Sequence, residues 1–221
     1  MIFDFAVLSL VDVGPLFGET GLPTVEDVQQ HHNECGYVAS VMTLTDRSPE
    51  YVKSLLSFEG DYNSVSEVKV SVWTKNVDTP QMIQVPVALS DIHHRNDTKG
   101  DIWWPGALYQ APILAHIEID PEGEGGMPSI LPNFDEFWLE IEKVNLSPMV
   151  LQTKQDGCTT IWGAHAYAVT KAEVDYNGDK MIELLNTNGE RSKSSAELVY
   201  HDTYITYNWV DYPSFVNEVA S

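Results

Sequence analysis

The sequence predicts an α+β fold in two lobes, helix-rich first and antiparallel-β last. Three observations carry this. Apolar residues recur at helical spacing after Cys35 and again near Trp104; two-residue alternation dominates the last third; and the Gly-, Pro- and acid-rich run DPEGEGGMPSILPN separates the two regimes. The boundary is placed so that residues 1–118 form a helix-rich lobe with a β-hairpin and 119–221 a strand-rich lobe, together one domain. With 43% hydrophobic residues the chain can bury a substantial core.

The N-terminal run MIFDFAVLSLVDVG lacks the basic start of a signal peptide and is broken by Asp4 and Asp12, so it reads as part of the fold. GYVASVMTLT has no proline and predicts a buried helix of about ten residues beginning at Cys35. In SPEYVKSLLSF, Ser48 can cap a second helix, Pro49 suits its first turn, and Tyr51, Val52, Leu55 and Leu56 make one face. SEVKVSVWTK alternates Val68, Val70 and Val72 inward, and with QMIQVPVAL across the turn NVDTP it predicts a hairpin. A helix is expected from Trp104 and Pro105, and another through Phe134, Phe137, Trp138 and Ile141. MVLQTK, GAHAYAVTKAEVDY and KMIELLN read as strands, the last two joined by a type I′ turn at Asn177 and Gly178. TYITYNWVDYPSFVNEV predicts a further strand and then a short helix.

The 33 acidic against 12 basic residues give a net charge of −21. Such a surface repels phosphate backbones, which argues against nucleic acid, and suits saline surroundings, cationic partners or divalent cations. No apolar run reaches the roughly 18 residues of a membrane helix, so no membrane attachment is expected. Two cysteines, Cys35 and Cys158, are too few for a disulfide scaffold and favour an intracellular or otherwise reducing setting.

A nucleophilic thiol must be held as thiolate, which a helix N-terminus and a histidine can do. Cys35 has the helix start. His165, at the head of an alternating strand among Gly163, Ala164 and Ala166, is the candidate base. Asn186, at the end of the next strand in LLNTNG, is the candidate to orient the ring. Cys158 reads as a plain thiol, and Trp103, Trp104 and Trp138 as core. His31, His32 and Glu34, like His93 and His94, read as solvated loop residues, because adjacent histidines point different ways and no carboxylate cluster has ligand spacing.

QQHHNECGYVASVMTL resembles the active-site segment of the calpain family, in which a glutamine lies six residues before the nucleophile and an apolar helix follows; Gln29 occupies that position. GAHAYAVT followed by VDYNGDKMIELLNTNG is similar to the calpain stretch with the catalytic His, a Tyr-Asn-Gly turn and the catalytic Asn. His165 follows Cys35 by 165 − 35 = 130 residues, a papain-type spacing. IWWPGALYQA resembles the calpain Trp-Pro-x-Leu helix, and VKVSVW and VPVAL its hairpin, so the similarity spans roughly residues 23–208.

The resemblance implies a papain-like fold with the site in the cleft between lobes, and a cysteine endopeptidase acting on polypeptides. Cys35 would attack, His165 would move the proton, Asn186 would hold the imidazole tautomer, and Gln29 with the Cys35 N–H would bind the oxyanion. No metal or organic cofactor is implied. Calcium stays open without an assigned site, since the ligands of the animal enzymes do not map onto these residues. Two departures stand out. Gly36 replaces the Trp that follows the nucleophile, and Thr187, Asn188 and Gly189 replace a Pro-Trp-Gly whose Trp shields the His–Asn bond. An inactive calpain-like module in a larger protein assembly, such as a virion, is therefore the alternative. A transglutaminase-like thiol acyltransferase is a third reading, disfavoured by Asn186 where Asp is more typical. Either setting, intracellular or virion-associated, is favoured over secretion.

Overall fold

The computed structural model describes residues 13–31, 35–74, 81–92, 100–117 and 133–208. Its centre is helix α1 (Cys35–Arg47), which starts at the cysteine as expected. Eight of its thirteen residues, Gly36, Val38, Ala39 and Val41 to Thr45, are buried, so the helix has core on several sides rather than one apolar stripe. Thr43 ties it to the strands behind: its hydroxyl donates to Val169 O and accepts from Met149 N–H.

In front of α1 lies the first core, built on helix α2 (Pro49–Ser54), strands β1 (Leu56–Ser57), β2 (Glu67–Thr74) and β3 (Gln81–Ala88), and helix α3 (Trp104–Leu114). The three strands form an antiparallel sheet in that order, with Glu67 opposite Ala88 and Thr74 opposite Gln81. Val68, Val70, Val72, Val85 and Val87 are buried on one face, as alternation predicts. The second helix stops earlier than its apolar face implies. Leu56 leaves it to pair with Val70, and the Ser71 N–H donates to Leu55 O, so sheet pairing overrides helical spacing. Trp103 and Trp104 are wholly enclosed, their indole N–H groups donating to Gly14 O and to the Asp27 carboxylate.

Behind α1 stands a five-stranded antiparallel sheet. Its strands are β4 (Met149–Thr153), β5 (Ala166–Val174), β6 (Lys180–Asn186), β7 (Arg191–Ser195) and β8 (Thr203–Asn208), arranged β7-β6-β5-β4-β8. Both faces are covered. Val150 and Ala166 pack with Ala39 of α1, and Ala168 and Leu185 join the first core. Met149, Leu151, Tyr167, Val169, Ile182 and Leu184 form a second core with α4 (Phe134–Ile141) and α5 (Ala196–Asp202). The chain is thus α+β, with two antiparallel sheets and five helices among the described residues.

The β5–β6 turn differs from the type I′ expected. Asn177 is not in the left-handed region; only Gly178 is, at φ 89°. Gly178 N–H donates to Asp175 O and Asp175 N–H to Asp179 O, which is a type I turn closed by a glycine bulge. Strand β7 and helix α5 have no counterpart in the sequence reading, because RSKSS shows no apolar alternation. The expected C-terminal helix, the turn NVDTP, the run from Asp120 to Pro132, and His32, Glu34, His93 and His94 lie outside the described residues. No helix of the described residues is long and apolar enough to cross a membrane.

Candidate active site

Cys35 opens α1, where backbone N–H groups of the first turn are unpaired by the helix itself and favour a thiolate. No acidic residue lies in that turn to oppose the charge. The partly buried thiol packs on Ala39, Val150 and Ala166, and Ala166 is the residue after His165. The helix therefore delivers the cysteine to the end of β5 at which the histidine sits.

His165 is fixed from the neighbouring strand. Its N–H donates to Thr153 Oγ1 at 3.0 Å, and its carbonyl accepts from both the Thr153 N–H at 2.9 Å and the Thr153 hydroxyl at 3.1 Å. Across β5–β6, Tyr167 stands opposite Asn186, which brings Asn186 to the same end of the sheet as His165. The result is a contact of 2.8 Å between His165 Nε2 and Asn186 Oδ1, with Asn186 only 5% exposed. A side-chain carbonyl can only accept, so Nε2 carries the hydrogen and Nδ1 is the ring nitrogen that can take a proton.

Two rings frame the imidazole. Tyr167 meets it edge-on, with centroids 5.1 Å apart and an 87° interplanar angle, and Trp162 lies 5.7 Å away on a tilt of 50°. The Trp162 N–H donates to Tyr167 Oη at 2.9 Å. Burial pushes the Tyr167 phenol above its ordinary range, although this hydrogen bond acts against it, so the phenol stays neutral.

The segment entering α1 is held at two points. The Asp27 carboxylate accepts from Thr24 N–H and the Trp104 indole, seating the short 3-10 turn Val25–Asp27 against α3. Further on, Gln30 N–H donates to Thr187 O at 2.8 Å. Gln29 lies between these anchors, half-buried. It is the neighbouring Gln30 whose side chain enters the histidine's network: Thr187 Oγ1 donates to Gln30 Oε1 and stands 3.1 Å from His165 Nε2.

The loop leading to His165 is gathered around Asp202, 1% exposed, whose carboxylate accepts from the N–H groups of Thr159, Thr160 and Ile161 at 2.6 to 3.1 Å. Burial alone would raise its pKa, but these donors hold it below the usual carboxylate range. Cys158 is in the same loop, donating to Lys154 O and Asp202 O. Burial first, then the nearby Asp202 charge, pushes its thiol up, which makes it the less reactive cysteine. Neither cysteine is in a disulfide.

Thus the structure joins His165 to Asn186 and places Cys35 beside Ala166, while Thr153, Trp162, Tyr167, Gln30 and Asp202 are parts of the site that sequence reasoning missed. Only Trp162 carried a local signal, being three residues before the histidine. Among the described residues, no group of three or more His, Cys, Asp or Glu is arranged to hold a metal ion. No protein-family model matches the chain, and no curated protein matches it either.

Proposed function

We propose that the protein is a calpain-like cysteine endopeptidase whose two cores act as the lobes of a papain-like fold. The observation that carries this is the 2.8 Å His165–Asn186 contact at the strand end against which Cys35 packs from a helix N-terminus. In the proposed cycle, Cys35 gives its proton to His165 Nδ1 and its sulfur attacks the scissile carbonyl of a polypeptide. The Cys35 N–H and the Gln29 amide take the oxyanion. The imidazolium returns its proton to the departing amine, leaving an acyl-enzyme, and water activated by the same imidazole releases the acid. Asn186 keeps the Nε2 hydrogen in place throughout.

Competitive alkylation tests the reading. Iodoacetamide or a peptidyl epoxide should label Cys35 at least about tenfold faster than Cys158, as thiolate character and the nearby base require, and His165→Ala should erase the difference. Slow, equal labelling of both cysteines would reject the peptidase in favour of an inactive calpain-like module in a larger assembly.

A further inference from the structure

We propose that Gln30 and Thr187 are positioning residues that fix the polarity of the hydrogen bond at His165 Nε2, a role resting on the cysteine-peptidase reading of the site. Thr187, 1% exposed, follows Asn186 directly, and its hydroxyl lies 3.1 Å from Nε2. A threonine hydroxyl has one hydrogen and two lone pairs. Here that hydrogen is given to Gln30 Oε1. What Thr187 presents to the imidazole is therefore a lone pair, and Nε2 must be the protonated nitrogen to meet it. Asn186 Oδ1 makes the same demand from 2.8 Å. Nε2–H is shared between two acceptors, and Nδ1 keeps its lone pair for the thiol.

The glutamine is what makes Thr187 an acceptor. Without Oε1, the hydroxyl hydrogen can turn to Nε2, and the ring can answer by moving its own proton to Nδ1, the tautomer that cannot deprotonate Cys35. The backbone bond from Gln30 N–H to Thr187 O keeps the two side chains in register. Because Gln30 lies on the segment entering α1 and Thr187 on the segment leaving β6, the lock also ties the nucleophile's approach to the base's orienting strand.

The test reads the tautomer directly. Ring 15N shifts of His165 in the full chain, recorded at alkaline pH where the ring is neutral and assigned with His165→Gln, should show a protonated Nε2 and a bare Nδ1. Gln30→Leu should move protonation toward Nδ1 and slow iodoacetamide labelling of Cys35 about fivefold, the worth of one hydrogen bond. Adding Thr187→Val to Gln30→Leu should restore the Nε2–H tautomer and most of the labelling rate, because no hydroxyl remains to donate. A merely structural Gln30 predicts the opposite, a double variant worse than the single. If Gln30→Leu does not fold, Thr187→Val alone should keep Nε2–H through Asn186 while Thr187→Ser matches the parent in shift and rate. An unchanged tautomer in Gln30→Leu, or a Thr187→Val in which protonation of His165 moves to Nδ1, overturns the inference and leaves the peptidase reading standing. Equal labelling of Cys35 and Cys158 in the parent overturns that reading whatever the tautomer.

Discussion

The indole of Trp162 lies against the imidazole of His165, centroids 5.7 Å apart, while remaining 58% exposed. A large aromatic that stays so wet contributes little to the core, yet it covers one side of the ring that has to hold its bond to Asn186. Its backbone N–H, not its side chain, makes the loop's hydrogen bond to Tyr167 Oη, so truncating the indole leaves the loop tethered. Trp162→Ala is expected to slow alkylation of Cys35 about three- to tenfold, the value of one aromatic contact. Urea unfolding should change by no more than about 0.5 kcal/mol, as for an exposed side chain. Trp162→Phe should recover most of the rate; a large loss of stability in Trp162→Ala would make the indole a packing residue instead.

The cysteine, histidine and asparagine were legible because each marks an element boundary that periodicity can locate. Cys35 starts a helix, His165 precedes a strand and Asn186 ends one. Strands β2 and β3 of the first sheet were legible for the same reason, with valines at every second place. What escaped detection depends on contacts between segments far apart in sequence. Thr187 and Gln30 are separated by 157 positions and Asp202 and Thr160 by 42, and polar side chains at those distances leave no periodic trace. The turn at Gly178 was misread because Asn-Gly serves both a type I′ turn and a type I turn with a glycine bulge, and only the loop length distinguishes them. The short helix Ala196–Asp202 was missed because seven residues are fewer than periodicity needs.

Near the end of β5, the central strand of the second sheet, Glu173 sits between the ammonium groups of Lys171 and Lys193, whose hydrogen bonds lower its pKa to about 2. A depressed carboxylate stabilises the fold above its unfolded pKa, near 4.3, and loses that contribution as pH falls through about 2. The group is exposed, so the shift is expected to be salt-sensitive. A carboxyl 13C titration should place the Glu173 midpoint well below 4 in dilute buffer and move it upward in about 1 M salt, where the Debye length is only about 3 Å. A midpoint unmoved by salt would mean that hydrogen-bond geometry, rather than charge, sets it.

Gly163 precedes the turn into His165 in a space with no room for a side chain. A Cβ there would come within 2.9 Å of Gln155 O and 3.0 Å of Lys154 O, both backbone atoms. Gly163→Ala must displace the loop, so it is expected to cost about 1–3 kcal/mol in urea unfolding and to slow Cys35 alkylation by moving His165. The next residue gives the opposite sign. Ala164 sits at φ 51°, where an L-residue is strained by about 1–2 kcal/mol. Ala164→Gly removes that strain, offset by about 0.4–1 kcal/mol of added freedom in the unfolded chain. It should therefore be neutral to slightly stabilising and leave labelling unchanged. Equal damage from both substitutions would place the constraint outside this turn.

Asp202 holds the loop that carries Trp162 and leads to His165, through amide donors of Thr159, Thr160 and Ile161. Its pKa is lowered in the folded state, so its stabilisation is complete above the unfolded value near 3.9 and fades as pH falls through the lower folded value. Asp202→Ala strands three backbone donors and should cost at least about 3 kcal/mol in urea unfolding at neutral pH. Asp202→Asn keeps one acceptor and should cost less. The difference between Asp202→Asn and the parent should shrink below pH about 4, because the parent then loses its charge as well. Cys158 supplies an internal reporter: with the Asp202 charge gone, its thiol is released from the repulsion that helps to raise its pKa and should alkylate faster. A variant that unfolds no more easily than the parent, with Cys158 unchanged, would show that the loop is held by its packing and that His165 does not depend on this carboxylate.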